Sequence, residues 1–177
     1  MSNSEMKINE VGRRAQENAN LIWNAANSLF GAFKPHEYGL VILPMCVIKR
    51  FHDCLIPTHA AVLEANQEFG ALGELKVGFL KEASGYQFYN TSRFTFGSLI
   101  TDPANIEDNF RDYLAGFSDN VQQILARMNF QAQVDRMVEA GVLYQVIVDF
   151  SAEDLDMSPN RISTVDMGYI FENLVQR

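Results

Sequence analysis

The chain has 177 residues, 47% of them hydrophobic and 20% charged, which is the size and composition of one globular domain with a sizeable core. Its net charge of -8 argues against a strong stand-alone nucleic-acid binder, which needs a basic surface to displace counterions. No apolar run is long enough to span a membrane, and the polar N-terminus lacks the apolar stretch of a secretory signal. We therefore predict a cytoplasmic protein without a membrane partner.

Hydrophobic spacing predicts helices in the first half of the chain. Residues 1–12 are polar and are interpreted as a disordered tail, and the first clear helix is expected over about 13–31. The next helix, within 34–55, is apolar on nearly all sides from Leu40 to Ile48, which predicts a buried central helix. A further helical segment is expected over about 58–69.

The stretch 86–97 interrupts the helical period. It is aromatic and punctuated by glycine, with short alternation at Phe94 and Phe96, and it predicts an irregular segment or a small hairpin. Helical spacing then resumes over about 106–150, followed by an acidic loop and a last helix at 163–177. The chain is thus predicted to be mainly α, one compact domain of about eight helices without a dividing linker or repeat.

The last predicted helix carries one apolar stripe. Ser163 and Asp166 form the S-x-x-D pattern of a capping box, which marks a helix start. Apolar residues then recur at the i, i+3, i+4 and i+7 spacing of a single helix face. They are Met167, Ile170, Phe171 and Leu174. We expect this stripe to be exposed and therefore to favour a homodimer of the chain.

Sequence motifs for catalysis are absent. There is no G-x-S-x-G elbow, no phosphate-binding loop and no His/Cys pattern for zinc. His52 and Asp53 are neighbours on a helix, where adjacent residues point to different faces, so they are not interpreted as a base and its orienting partner. Cys46 and Cys54 lie roughly 12 Å apart along one predicted helix, too far for a disulfide, and are interpreted as buried thiols. We predict no catalytic, cofactor-binding or metal-binding residue.

The negative charge is concentrated in one part of the chain. Residues 1–100 carry nine Lys or Arg and nine Asp or Glu, whereas residues 101–160 carry three and eleven. The acidic part is either a solvated surface, which is the favoured interpretation, or a face for a basic partner. The neutral first half leaves room for a local patch that faces DNA.

Two polar stretches of the first half are candidates for that patch. The sequence YNTSR at 89–93 offers hydrogen bonds to phosphates and bases, although a turn that satisfies its own backbone is the favoured interpretation. The basic pair in IKRF is expected at the exposed edge of the buried helix, either solvated or in contact with phosphates. The predicted DNA-proximal residues are Lys49, Arg50, Asn90, Thr91, Ser92 and Arg93.

Three stretches together resemble one family. They are LIWNAANSLFGAFKPHEYGLVILPMCVIKRFHDCL, YLAGFSDNVQQILARMNF and DMGYIFENLVQR, and FYNTSRFTF between them fits as well. They resemble the N-terminal helical region of the modification (methylase) subunit of type I restriction–modification systems. The resemblance runs from about residue 15 to residue 177, and KPxEYGxVILP and MGYIFExL are its most specific segments.

The resemblance implies a parent protein that is an S-adenosylmethionine-dependent DNA adenine-N6 methyltransferase. In that family the MGYIFExL helix leads into the catalytic domain, which brings a Gly-containing cofactor loop and an Asn-Pro-Pro-aromatic motif. Neither occurs here, so we expect this chain to stop before the catalytic domain, to bind no cofactor and to be no enzyme by itself. The stripe Met167, Ile170, Phe171 and Leu174 is then expected to pack on that domain.

The resemblance also implies partners. They are the specificity subunit, a second methylase subunit, the restriction subunit of the full complex and double-stranded DNA, and the helical region is expected to help the assembly close around the duplex. The alternative is an independent α-helical adaptor that binds proteins only and has no role on DNA. A reading frame that continues into an Asn-Pro-Pro-aromatic motif would exclude this alternative.

Overall fold

Helices follow one another along residues 2–175, the part of the chain that the computed structural model describes, with the side chains at 7–9, 11 and 175 excepted. The α-helices are α1 (Asn3–Asn24), α2 (Gly39–Leu55), α3 (His59–Phe69), α4 (Lys76–Ser84), α5 (Phe96–Leu99), α6 (Ile106–Ala115), α7 (Asp119–Arg127), α8 (Phe130–Ala140), α9 (Leu143–Phe150) and α10 (Thr164–Val175). Short 3-10 turns join several of them, and the described residues contain no strand. The prediction of a mainly α domain is confirmed.

Both terminal helices begin at capping boxes. The Glu5 N–H donates to Ser2 Oγ at 3.1 Å and the Ser2 N–H donates to Glu5 Oε2 at 2.9 Å, so the first N–H groups of α1 find partners. The disordered tail expected over 1–12 is therefore wrong from residue 2 onward, and residue 1 lies outside the described residues. The predicted box at the start of α10 is confirmed, since the Asp166 N–H donates to Ser163 Oγ at 3.1 Å.

Helix α2 lies at the centre of the core, as predicted. Its side chains Val41, Ile42, Met45 and Ile48 are fully buried, and α1, α8 and α10 pack around it. Each such side chain stabilises the fold by about 1.5–3 kcal/mol through burial alone. Cys46, also fully buried, is a free thiol whose pKa burial raises to about 12, so the prediction of buried thiols is confirmed there and the group stays protonated at neutral pH.

Helices α3 and α4 form a hairpin with a small core of its own. Val62 and Leu80 pack against Tyr89, separately from the main core. The rings of Phe69 and Phe79 stack with their centroids 4.0 Å apart. The hairpin is therefore joined to the domain mainly through the segment that follows α4.

Within the predicted segment 86–97, residues 86–95 are irregular, which is one of the two predicted alternatives, and the last two residues belong to α5. The irregular part pairs with the turn between α6 and α7 and not with itself. The Thr91 N–H donates to the Gly116 carbonyl at 2.9 Å, and the Ser118 N–H donates to the Tyr89 carbonyl at 2.9 Å. No hairpin forms within this segment, because its backbone partners lie more than twenty residues further along the chain.

The apolar stripe of α10 is covered by the same chain. Met167, Ile170 and Leu174 are 6%, 0% and 2% exposed, because α10 packs along α1 and against α2. The expectation of an exposed stripe is wrong for these three residues, while Phe171 is half-buried. The packing of the stripe on a further domain stays a prediction.

None of the described helices has the length and hydropathy to cross a membrane.

Candidate functional site

Asn90 holds the predicted DNA-proximal segment in place from inside. Its side chain is 4% exposed, and its Nδ2 donates to the Tyr113 carbonyl at 2.9 Å. Its Oδ1 accepts the Ser92 N–H at 2.7 Å, which closes a local turn. The amide nitrogen and the amide oxygen of Asn90 are therefore both hydrogen-bonded within the domain. Asn90 stabilises a turn, in agreement with the favoured interpretation of this stretch.

Ser92 is also buried and fully engaged. Its Oγ donates to Asp112 Oδ2 at 2.8 Å and accepts the Phe94 N–H at 3.2 Å. Its carbonyl lies 2.8 Å from His59 Nε2, and since a carbonyl only accepts, this nitrogen of His59 donates. Ser92 therefore links α3, α6 and the irregular segment.

Arg93 is exposed in the same segment, whereas Thr91 is half-buried and its Oγ1 donates to the Gly116 carbonyl at 3.4 Å. The guanidinium carbon of Arg93 lies 4.4 Å from the centroid of the Phe94 ring, in a cation–π contact, and the residue is exposed. Thr91 and Arg93 line a groove of about 390 Å³ together with Asp112 and Gly116. Of the six predicted DNA-proximal residues, Arg93 presents the most available positive charge.

The groove continues past Thr91 toward the start of α4. A second concavity of about 390 Å³ shares Thr91 and Gly116 with the first and adds Glu74, Lys76 and Asp119. The two concavities together contain two basic and three acidic side chains. Such a mixed groove differs from the continuous basic stripe of a protein that binds nucleic acid by itself.

Lys49 lies away from this groove, inside the domain. It is 7% exposed, which contradicts the expected position at an exposed helix edge. Its Nζ is 3.1 Å from Asp53 Oδ1 and 5.4 Å from the centroid of the Phe96 ring. The helix is apolar on nearly all sides, so its few polar side chains are buried with it and must pair with each other.

His52 and Asp53 form a hydrogen bond although they are neighbours on α2. The Phe96 N–H donates to His52 Nε2 at 2.9 Å, which leaves the ring proton on Nδ1, and Nδ1 donates to Asp53 Oδ1 at 2.8 Å. The expectation that the two side chains diverge is therefore wrong. Asp53 Oδ2 accepts the Met157 N–H at 2.8 Å, so the carboxylate also holds the acidic loop.

Burial and pairing act on the protonation of this buried cluster, formed by Lys49, His52 and Asp53. Burial lowers the pKa of His52 below its ordinary value, although Asp53 acts in the opposite direction. Burial acts to raise the pKa of Asp53, but the hydrogen bond from His52 and the charge of Lys49 together hold it below its ordinary value. At neutral pH the imidazole of His52 is therefore neutral and the carboxyl group of Asp53 is ionised.

Acidification should destabilise the domain through His52. Its pKa is lower in the folded chain than in the unfolded chain, so its contribution is complete above about pH 6.5 and is lost as pH falls through the folded pKa. We expect the free energy of unfolding in urea to fall between about pH 7.5 and pH 5, and to fall less in His52→Gln. A His52 ring that NMR finds protonated on both nitrogens at pH 7 would contradict this.

Arg50 faces the acidic loop and differs in setting from Lys49. Its Nη1 donates to the carbonyls of Met157 and Ile162, at 2.8 and 2.5 Å. The side chain is half-buried, so it anchors the loop between α9 and α10. A role on DNA for Arg50, as for the other predicted residues, stays a prediction.

The described residues contain no group of three or more His, Cys, Asp or Glu arranged to hold a metal ion.

The sequence analysis did not identify Asp53 as the centre of the buried cluster. The i, i+4 spacing of Lys49 and Asp53 is the signal that could have indicated their pairing.

A family model described as the HsdM N-terminal domain matches residues 18–150, about three quarters of the chain. The chain belongs to the HsdM N-terminal domain family. No curated protein and no solved structure matched the chain. The matched range of the HsdM N-terminal domain includes α2, the segment 90–93 and the α6–α7 turn, and it ends with α9.

One specific stretch of the HsdM N-terminal domain, KPHEYG, has a structural role here. Glu37 Oε1 accepts the Lys34 N–H at 2.9 Å, and both carboxylate oxygens accept hydrogen bonds from Arg136, at 2.8 and 2.9 Å. The hydrogen bond from Arg136 is the largest of the effects that lower the pKa of Glu37 to about 2. This pair ties the entry of α2 to α8.

Proposed function

We propose that this HsdM N-terminal domain is the non-catalytic helical part of a type I DNA adenine-N6 methylase subunit. It contributes to contacts between subunits and to closure of the assembly around duplex DNA. The family match over residues 18–150 is the observation that carries this proposal. The parent protein would use S-adenosylmethionine in the cytoplasm and would associate with a specificity subunit, a second methylase subunit and the restriction subunit.

The distribution of positive charge supports a role in assembly more than in reading bases. Lys49, Arg50, Arg111 and Arg136 all make contacts within the domain, and the groove at Thr91 has mixed charge. Phosphate contacts position a protein on DNA but carry no direct sequence information. Within this proposal, Arg93 is the residue that contacts a phosphate.

The isolated chain should bind duplex DNA weakly. Its net charge is -8, so we expect a dissociation constant no tighter than about 10 µM and a shallow dependence on salt. Fluorescence anisotropy with a labelled duplex at low and moderate salt measures both quantities. Nanomolar binding that weakens steeply with salt would show a stand-alone DNA-binding protein.

The assembled methylase tests the proposed role directly. A complex in which the methylase subunit carries Arg93→Glu should keep its subunit stoichiometry and lose roughly threefold to tenfold in duplex affinity, with a smaller salt dependence. Arg127→Glu, at an exposed position of α7 outside the predicted set, serves as the matched control. If a methylase subunit without this domain assembles and binds DNA as well as the intact subunit, the proposed function is wrong.

A further inference from the structure

One cavity lies apart from the groove, between α2, α10 and the segment that follows α4. Its volume is about 420 Å³, and its apolar wall is formed by Val47, Phe51, Phe88, Met167 and Phe171. The rings of Phe51 and Phe88 are already packed together, with centroids 4.4 Å apart. Cavities of roughly 300–1,000 Å³ with a largely apolar lining are the size that binds small molecules.

Arg50 gives this cavity a positive charge. The carbonyl oxygens that its Nη1 contacts are neutral, and no carboxylate among residues 2–175 forms an ion pair with it. The cavity also has polar groups at Cys54 and Tyr86, and burial raises the pKa of both, so they are uncharged at neutral pH. A guanidinium in such surroundings favours an anion, which would accept charge-assisted hydrogen bonds.

We propose that this cavity binds a small molecule with an apolar body and one carboxylate, of the medium-chain fatty acid type. The carboxylate pairs with Arg50, and the hydrocarbon lies against Phe51, Phe88 and Phe171. A protein partner would need about 800 Å² of surface on each side for a stable interface, whereas this cavity is a concave site with aromatic walls. The proposal does not rest on the DNA role, and it assigns the half-buried Phe171 to the ligand and not to a further domain.

Three ligands of equal chain length separate charge from hydrophobicity. Octanoate, octan-1-ol and octylammonium are titrated into the chain and followed by calorimetry and by methyl NMR spectra. We expect octanoate to bind with a stoichiometry of one and about tenfold more tightly than octan-1-ol, with octylammonium weakest. The methyl signals of Val47 and Met167 should shift, while that of Val121, in α7 and outside the cavity, should not.

Substitutions test the two parts of the site. Val47→Phe fills the cavity and should weaken binding of all three ligands. Arg50→Gln should remove the preference for octanoate, but this variant also loses the two hydrogen bonds from Arg50 to the loop. Arg50→Lys is therefore the second variant. It keeps the positive charge and should keep the preference for octanoate. Arg161→Gln removes an exposed arginine that does not line the cavity and should change nothing.

Several results would overturn this inference. They are equal affinities for octanoate and octan-1-ol, absence of binding at about 5 mM octanoate, or shifts confined to methyl groups outside the cavity. A doubled mass in light scattering that Phe171→Glu returns to the monomer would show that a second copy of the chain covers the cavity. That outcome would also rule out the small ligand as its occupant.

Discussion

Gly116→Ala should lower the free energy of unfolding by about 2–4 kcal/mol. A Cβ at this position would lie 2.4 Å from Asn90 Oδ1, 2.6 Å from Ser92 N and 2.8 Å from Ser92 Cβ. These atoms cannot easily move away, because Asn90 is fixed by Tyr113 and Ser92 by Asp112. The added methyl group would therefore push the irregular segment off the α6–α7 turn. Urea unfolding followed by circular dichroism measures the loss.

Gly78→Ala is the matched control for this substitution. Gly78 lies inside α4, and a Cβ there would meet no atom within 4 Å. Alanine reduces the freedom of the unfolded chain, so this variant should be more stable by roughly 0.5–1 kcal/mol. If both variants change stability by the same amount, the close packing at Gly116 is not the cause.

Asp53→Asn should lower the free energy of unfolding by about 3–5 kcal/mol, because it leaves the Lys49 ammonium buried without a negative partner. The side chains of Lys49 and Asp53 are 9% and 10% exposed, so solvent screens their charges little. An asparagine keeps the size of the side chain but cannot replace the charge. The neutral variant also weakens the hold on the Met157 N–H and thus on the acidic loop.

A double-mutant cycle separates the charge from the other contacts of Asp53. Lys49→Met removes the ammonium, and we expect the variant with both substitutions to be more stable than Asp53→Asn alone. Asp135→Asn is the surface control, because Asp135 pairs with Arg111 at 2.6 Å but its side chain is 68% exposed. This variant should lower the free energy of unfolding by less than about 1 kcal/mol. Additive effects of the two substitutions on α2 would mean that the ion pair contributes nothing by itself.

The helical fold could be predicted because its evidence is local. The apolar run of α2 indicated a buried helix, and the box at Ser163 indicated the start of α10. The burial of Lys49 could not be predicted from the same run. A helix that is apolar on nearly all sides has no polar face, so its sequence does not indicate which edge is exposed.

The partners of the candidate site could not be predicted, because they are distant along the chain. Asn90 and Ser92 are held by Tyr113 and Asp112, residues 23 and 20 positions away. Periodicity describes contacts between residues three or four apart on a helix and is silent about such pairs. For the same reason the spacing of α10 identified its apolar face but not the helix that covers it.

The pairing of α1 with α10 has a consequence for the order in which the domain opens and closes. About 140 residues separate the two helices, and closing a loop of that length costs ~4 kcal/mol of chain entropy. The contact therefore becomes favourable only after the intervening helices have packed. We expect amide hydrogens of α10 to exchange with solvent through partial openings that leave α2 protected. The domain would then open at the α1–α10 pair while its centre stays folded.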